Sequence, residues 1–223
     1  MGVQGGSITT DVIRNGLVLN IDAANRASTI PSTSTTKTFN TVDTSISGSF
    51  INNTMYDSST VSPSYAFDGN HDYMIINGFN DITVNTVSAW FKVSFTTNTV
   101  MMEKKKNTKM MFQPNSDKGI YYANLKFYRP NATYASSVMD GTWKNWVQIE
   151  DTDFSYFYIN GVLQNSQANT SNLANEDPFV LMARNGGTFD QVGNVGPVQI
   201  YNRALSANEV LHNYNALKGR FGL

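Results

Sequence analysis

The sequence contains no cysteine, few charges and no long apolar run. Without cysteine, the 223-residue chain has no disulfides, no thiolate metal ligands and no cysteine nucleophile. Only 15% of its residues are charged, against about 25% in a typical soluble domain, and the formal net charge is −1. A chain without a cationic field is not expected to bind nucleic acid. Because no apolar run approaches the roughly 18 residues of a membrane span, we also expect no membrane insertion.

Neutral polar side chains take the place of the missing charges. The chain has 27 Asn, 22 Thr and 20 Ser residues, together close to a third of its length. Its hydrophobic share of 40% suffices for a buried core, which argues against a disordered chain. The length fits one domain. Residues 1–25 lack the apolar segment and cleavage site of a secretory signal, so no export by that route is expected.

Short β-strands separated by turns account for most of the pattern. The clearest strand covers residues 87–95, where alternating apolar residues commit one face to the core. The pair Asn160-Gly161, between two strand-like segments, predicts a two-residue hairpin. The Met-rich segment 100–112 predicts a second hairpin, with its lysines, beginning at Lys104, in a solvated tip. Many short strands at this spacing favour a sandwich or a barrel.

One α-helix is predicted near the C-terminus. Ser206 and Glu209 have the spacing of a capping box, and Leu205 and Val210 have that of a hydrophobic staple. Apolar residues then recur every three to four positions until Gly219 ends the pattern. The sequence therefore predicts an all-β fold with one short C-terminal α-helix around residues 206–218.

Six segments, taken in series, resemble one known family. The most specific are the motif FDGNHDY at residues 67–73 and the ending IYNRALSANEV at residues 200–210. The other four are GLVLNIDAANRAS (16–28), VSAWFK (87–92), GTWKNWVQI (141–149) and YFYINGVLQ (156–164). The series is similar to the laminin G-like, concanavalin A-like domains of bacterial and phage surface proteins. This resemblance implies a two-sheet antiparallel jelly-roll sandwich over residues 16–218.

The resemblance also suggests a domain organisation and a function. Residues 16–223 are expected to form one laminin G-like β-sandwich domain, after a polar N-terminal arm of residues 1–15 that is a candidate docking segment. Residues 212–223 are similar to the ends of virion proteins from tailed phages, especially marine T4-like ones. The implied protein is a non-enzymatic structural component of the virion surface, in a capsid decoration, neck or tail fibre. Its partners would be other virion proteins and further copies of itself, with weak contacts multiplied by avidity.

A carbohydrate-binding, lectin-like module of a phage fibre or a bacterial surface protein is the alternative. Its partner would be a cell-surface glycan, which needs an aromatic platform flanked by planar polar groups. One stretch of the chain offers both. The candidate glycan-binding residues in it are Tyr121, Tyr122, Asn124, Tyr128, Arg129 and Tyr134. An aromatic run in a sandwich is also typical of a core or a subunit interface, and alternation sends half of such residues inward.

No catalytic site is expected from the sequence. Jelly-roll glycosidases related to this family set two carboxylates two residues apart on one strand, so that both reach the scissile bond. Asp151 and Asp153 have that spacing, but their position between two strand-like segments predicts a turn.

Metal binding is considered because some laminin G-like domains hold Ca²⁺ at the rim of the sandwich with aspartate and backbone oxygens. Asp22, Asp68, Asp72 and Asp190 are the rim candidates, although their spacing forms no diagnostic loop. Asp68 and Asp72 are explained more simply as residues that fix a turn through hydrogen bonds to the backbone. We therefore predict no resident metal and no cofactor, with Ca²⁺ as the alternative.

Overall fold

A computed structural model describes the chain over residues 11–31, 36–53, 55–59, 62–79, 84–96, 99–104, 110–115, 119–122, 126–128, 137–168 and 178–223. Over 110–115, 119–122 and 126–128 it describes the backbone. In this part of the chain the strands form two eight-stranded antiparallel sheets, which confirms the predicted all-β sandwich.

The first sheet is built around three long central strands. Numbered in chain order together with those of the second sheet, its strands are β1 (Leu17–Ile21), β4 (Tyr56–Asp57), β5 (Ser64–Phe67), β7 (Thr86–Ser94), β12 (Asp140–Glu150), β13 (Phe154–Ile159), β14 (Val162–Ala168) and β16 (Gly193–Tyr201). Their order is β14-β13-β12-β7-β16-β5-β4, and β1 also pairs with β16. Strands distant in sequence therefore lie side by side, as in a jelly roll.

The second sheet is made of shorter strands. They are β2 (Lys37–Phe39), β3 (Ser47–Ile51), β6 (Tyr73–Asn77), β8 (Met102–Lys104), β9 (Met110–Asn115), β10 (Gly119–Tyr122), β11 (Lys126–Tyr128) and β15 (Phe179–Leu181). Their order is β11-β10-β9-β8-β15-β6-β3-β2. The β8–β9 pairing, with Met102 opposite Phe112, confirms the predicted Met-rich hairpin.

Alternation along β7 places its apolar side chains between the two sheets. Val87, Ala89 and Phe91 are fully buried there, in a core to which both sheets contribute. Burying a valine or phenylalanine side chain such as Val87 or Phe91 stabilises the fold by about 1.5–3 kcal/mol. Trp90 points to the opposite face of the sheet, yet it is fully buried as well. The sandwich therefore carries a third layer on the outer face of the first sheet.

That third layer is the C-terminal segment. Helix α1 (Ala207–Leu217) begins at the predicted capping box of Ser206 and Glu209, and a 3₁₀ turn (Lys218–Phe221) follows it. The ring of Phe221 lies 4.3 Å from that of Trp90, in a stacked arrangement. The predicted helix is thus confirmed, although the 3₁₀ turn carries the chain past Gly219. No helix among the described residues is long and apolar enough to cross a membrane.

Two local predictions have different outcomes. The Asn160-Gly161 turn is confirmed: both residues have positive φ, 52° and 77°, and Ile159 pairs with Val162 across a two-residue hairpin. The solvated position expected for Lys104 is wrong. Lys104 is 1% exposed, and its Nζ lies 4.8 Å from the ring centroid of Phe79. Lys104 lies opposite the core residue Phe179 where β8 pairs with β15, so its side chain lies on the buried face of β8.

Candidate functional site

Loops from both sheets enclose a polar cavity at one end of the sandwich. Its volume is about 350 Å³, and we call it the rim cavity. The described residues that line it are Asn52, Asn53, Asp68, Asn70, His71 and Asp72. The first two follow β3, and the other four form the turn between β5 and β6. The turn belongs to the FDGNHDY motif, the most specific part of the family resemblance.

Hydrogen bonds within the β5–β6 turn fix its backbone. The carboxylate of Asp72 accepts the backbone N–H groups of Asp68, at 2.8 Å, and Gly69, at 3.1 Å. Asp68 in turn accepts the N–H of Asn70 at 2.8 Å. Burial raises the pKa of Asp72, and the two backbone N–H bonds oppose that rise. The predicted role of Asp68 and Asp72 in fixing the turn is confirmed.

Glycine is required at one position of this turn. Gly69 has a φ of +79°, and a Cβ there would lie 2.5 Å from Cγ2 of Val192. A side chain at residue 69 would therefore both strain the backbone and displace Val192. The close approach brings the β5–β6 turn against the segment that leads into β16.

His71 joins three loops at the cavity. Its backbone N–H donates to Oδ2 of Asp190 at 3.1 Å, and its carbonyl accepts the side-chain amide of Asn52 at 2.6 Å. Its Nδ1 lies 2.8 Å from the carbonyl oxygen of Gly187. Because a carbonyl oxygen only accepts, Nδ1 carries a hydrogen in this contact. The ring is thereby oriented, while 68% of the side chain remains exposed.

An exposed aromatic residue precedes Asp190 in the loop that contacts His71. Phe189 precedes Asp190 directly, is 44% exposed and has a left-handed φ of 60°, which is unusual for a bulky residue. Its carbonyl accepts the N–H of Val100 at 2.7 Å, so the strained backbone is held in place. The guanidinium of Arg184 lies 4.9 Å from the ring centroid. Strained, well-anchored residues of this kind concentrate at functional sites.

The side chains of Gln191 and Glu103 also hold the loop that carries Phe189. The side-chain NH2 group of Gln191 donates a hydrogen bond to the carbonyl oxygen of Val192 at 2.8 Å. Its side-chain oxygen accepts a hydrogen bond from the hydroxyl of Thr99 at 2.5 Å. Glu103, which is 1% exposed, accepts the N–H of Asn185 at 2.9 Å and lies 3.6 Å from Nε of Arg184. The loop is thus tied to the sheets on both sides of Phe189.

The rim cavity can bind a ligand rich in hydroxyl groups. Its accessible side chains offer a carboxylate from Asp68, an amide from Asn70 and an imidazole from His71, all on an anchored backbone. Carboxylates accept hydrogen bonds from hydroxyls, and amides both donate and accept. Phe189, in the loop that holds His71 through Asp190, is the exposed aromatic residue of that loop.

Three of the four rim metal candidates come together here. Asp68 and Asp72 line the cavity, and Asp190 contacts His71 beside it. Asp22 lies elsewhere, in a two-point ion pair with Arg220 at 2.7 and 2.9 Å. Among the described residues, no group of three or more His, Asp or Glu side chains is arranged to hold a metal ion. Both oxygens of Asp72 already accept backbone N–H groups.

Half of the candidate glycan-binding residues of the aromatic stretch lie outside the described part of the chain. Asn124, Arg129 and Tyr134 fall outside it entirely. Tyr121 and Tyr122 belong to β10 and Tyr128 to β11, where the backbone places Tyr128 opposite Ile120. The assignment of these residues to a glycan site stays a prediction.

The turn predicted at Asp151 and Asp153 is confirmed. These residues lie between β12 and β13, where Oδ1 of Asp151 accepts the N–H of Phe154 at 2.6 Å and that of Asp153 at 2.8 Å. Both hydrogen bonds lower the pKa of Asp151, and the one from the N–H of Phe154 lowers it more. This carboxylate therefore stabilises a turn and does not share a strand with Asp153.

Sequence reasoning gave no site role to Asn52, Asn53, Asn70, His71 and Phe189. The first two are ordinary members of an Asn-rich chain, and Phe189 acquires its meaning from a backbone conformation that no local motif marks. The FDGNHDY motif was the available signal, because it placed acidic and amide residues in one turn. It did not reveal that Asp190, 119 positions away from His71, would join them.

Comparison with solved structures identifies domains of the same fold. Domain 4 of an extracellular arabinanase from Geobacillus stearothermophilus, solved with arabinotriose, is 19% identical, with a TM-score of 0.62 over 89% of this chain and 98% of that one. The binding domain of Paraclostridial mosquitocidal protein 1 is 14% identical, with a TM-score of 0.67 over 90% of this chain. The binding domain of botulinum neurotoxin DC, solved with SialylT, is 10% identical, with a TM-score of 0.63 over 91% of this chain.

The chain spans about half the length of both toxin binding domains, 52% in each case. No curated protein matches the chain in sequence.

A laminin G-like family model, described as the concanavalin A-like lectin/glucanases superfamily, matches residues 68–211. That match starts within the β5–β6 turn of the rim cavity and covers more than half of the sequence. The protein therefore belongs to the concanavalin A-like lectin/glucanase superfamily.

Proposed function

We propose that this protein is a non-enzymatic carbohydrate-binding module and that the rim cavity is its glycan site. One observation carries the proposal: aspartate, asparagine and histidine side chains on an anchored backbone line one cavity, and the exposed Phe189 lies in the loop that also carries Asp190. A sugar presents hydroxyl groups at its edge and C–H groups on its faces. The cavity provides hydrogen-bonding partners for the former, and an aromatic ring suits the latter.

The dimensions and rigidity of the cavity agree with this proposal. Its volume of about 350 Å³ lies within the usual range for small-ligand pockets. The hydrogen bonds of Asp72 and His71 fix the surrounding loops before any ligand arrives. Such preorganisation reduces the entropy lost when a ligand is bound. A mono- or disaccharide would therefore meet a site that needs little rearrangement.

The carboxylates of the cavity support binding in preference to hydrolysis. Glycosidases need two carboxyl groups that both face the bond being cleaved. Asp72 uses both oxygens to accept backbone N–H groups, and Asp190 accepts the N–H of His71. Among the described residues of the site, Asp68 is the one carboxylate on an exposed side chain. One exposed carboxylate can orient a sugar, but it does not form an acid–nucleophile pair.

A glycan array followed by isothermal titration calorimetry tests the proposal. We expect the purified protein to bind at least one oligosaccharide with a dissociation constant in the millimolar range or below. The double variant Asp68→Ala/Asn70→Ala should lose that binding. The control Asp43→Ala/Ser45→Ala, which changes an exposed turn between β2 and β3, should retain it. Absence of binding across the array, or equal loss in both double variants, contradicts the proposal.

We also propose that the module is displayed on the surface of a tailed-phage particle. Two features support this: the resemblance of residues 212–223 to virion proteins, and a near-neutral surface on which many copies can pack without repulsion. Other virion proteins and further copies of the chain would be its partners. Weak contacts of each module with a cell-surface glycan would then be multiplied by avidity.

The docking part of this second proposal concerns residues 1–15. Within them, the carbonyl of Asp11 lies 2.9 Å from Nε2 of His212, and the N–H of Ile13 donates to Asn213 at 2.8 Å. A deletion of residues 1–10 leaves these contacts in place and tests docking alone. We expect mass spectrometry to find the intact protein in purified particles and the deletion variant to be missing from them. Equal incorporation of both would contradict the docking role.

A further inference from the structure

We infer that the rim cavity selects uncharged saccharides and rejects acidic ones. This inference rests on the proposed function and adds the chemical class of its ligand. It follows from the charged side chains described around the cavity, where there are more aspartates than cationic groups.

The described part of the site contains more acidic than basic side chains. Asp68 and Asp72 line the cavity, and Asp190 lies behind His71. None of the described lining residues is a lysine or an arginine, and the imidazole of His71 is the one basic side chain among them. The described part of the site therefore has three aspartates and one basic group.

Arg184 is the one cationic residue of the loop between β15 and β16, which carries Asp190, and its charge is already balanced. Its Nε lies 3.6 Å from Oε1 of Glu103, a carboxylate that is almost completely buried. Its guanidinium also covers one side of the Phe189 ring. An arginine held against a buried carboxylate keeps little of its attraction for a second anion. Arg184 therefore does not convert the site into one for acidic sugars.

A carboxylate on the ligand would be placed against Asp68. Like charges repel at this range, and a partly enclosed cavity screens them less than open solvent does. Hydroxyl groups of a neutral sugar instead donate to the same carboxylate in charge-assisted hydrogen bonds. One side chain thus favours uncharged ligands and opposes sialylated or uronic acid-containing ones.

Matched glycan pairs test the inference. The probe is an array that carries neutral oligosaccharides beside their sialylated or uronic acid counterparts, such as lactose beside 3′-sialyllactose and galactotriose beside trigalacturonic acid. For the pairs that bind, we expect the neutral member to bind at least about tenfold more tightly. Asp68→Asn should reduce this preference at least threefold. Asp43→Asn changes the net charge equally at a distant turn and should leave the preference unchanged.

The outcomes separate this inference from the function on which it rests. If no glycan of the array binds, the proposed function fails. If glycans bind but acidic members match or exceed their neutral partners, the function stands and the selectivity is overturned. A preference for neutral glycans that is the same in Asp68→Asn and wild type also overturns it, because the charge of the cavity would not be its cause.

Discussion

The carboxylate of Asp190 accepts the backbone N–H of His71 at 3.1 Å, and the same oxygen lies 3.3 Å from Nδ1 of the imidazole. The two residues are 119 positions apart in sequence. Their contact joins the β5–β6 turn to the loop between β15 and β16, and so links the rim cavity to the loop that carries Phe189.

We expect Asp190→Ala to weaken glycan binding at least fivefold, because His71 loses the contact that holds it in the cavity. The loss of a hydrogen bond to a charged group should cost roughly 1.5–3 kcal/mol of stability. Asp190→Asn keeps an acceptor at the same place and should retain most of the affinity for neutral glycans. Calorimetric titration and thermal unfolding measure the two effects. Full binding by Asp190→Ala would show that the contact does not shape the site.

Phe189→Ala should lower affinity about tenfold, equivalent to roughly 1.4 kcal/mol, because the sugar loses its apolar platform. The matched control is Phe154→Ala on β13, since both rings are 44% exposed. Both variants should have similar unfolding temperatures, whereas only Phe189→Ala should bind the glycan less tightly. Equal affinities in the two variants would remove Phe189 from the site.

Phe221→Ala should destabilise the protein by about 3–5 kcal/mol, as expected for an aromatic side chain deleted from a packed core. The ring lies 4.3 Å from Trp90 and 4.7 Å from Trp143, and it fixes the third layer on the first sheet. Leu223→Ala, at an exposed position two residues later, is the control. Denaturant unfolding followed by tryptophan fluorescence measures both. A cost below about 1 kcal/mol for Phe221→Ala would mean that the C-terminal layer contributes little.

The start of helix α1 should contribute an acid-sensitive part of the stability. The Arg203 guanidinium, 2.6 Å away, lowers the pKa of Glu209 to about 2. A carboxylate with a depressed folded-state pKa stabilises the fold above its ordinary pKa of 4.5, and this contribution is lost as pH falls toward 2.

Glu209→Gln should therefore lose less stability than wild type between about pH 4.5 and pH 2, while costing at most about 1 kcal/mol at pH 7. Unfolding in urea over that pH range makes the comparison. Asp153→Asn, in the exposed turn before β13, serves as the control. If wild type and Glu209→Gln show parallel pH profiles, the Arg203–Glu209 pair is not the source of the acid sensitivity.

Local sequence signals predicted the elements of this fold well. The alternation of residues 87–95, the Asn160-Gly161 pair and the capping box at Ser206 each specify a structure within a few residues. Trp90 and Lys104 show the limit of such signals. Alternation gives the face of a strand on which a residue lies, but a distant segment decides whether that face is covered. Helix α1 covers Trp90, and pairing of β8 with β15 puts Lys104 beside Phe179.

The candidate site was predictable only in part, for the same reason. The resemblance to laminin G-like domains suggested Asp22, Asp68, Asp72 and Asp190 as rim residues, and all of them except Asp22 line the rim cavity or contact His71. The contact of His71 with Asp190 and the left-handed backbone of Phe189 were not predicted. Both depend on the closure of the two sheets, which no short motif encodes.

The most direct test of the central claim is a backbone amide NMR titration of the full chain with the tightest-binding neutral oligosaccharide of the array. We predict that the largest chemical-shift changes fall on Asn53, Asn70, His71 and Asp190, around the rim cavity, and on Phe189. Changes centred on β10 and β11 instead, near Tyr121 and Tyr128, would place the glycan site in the aromatic stretch and contradict the account.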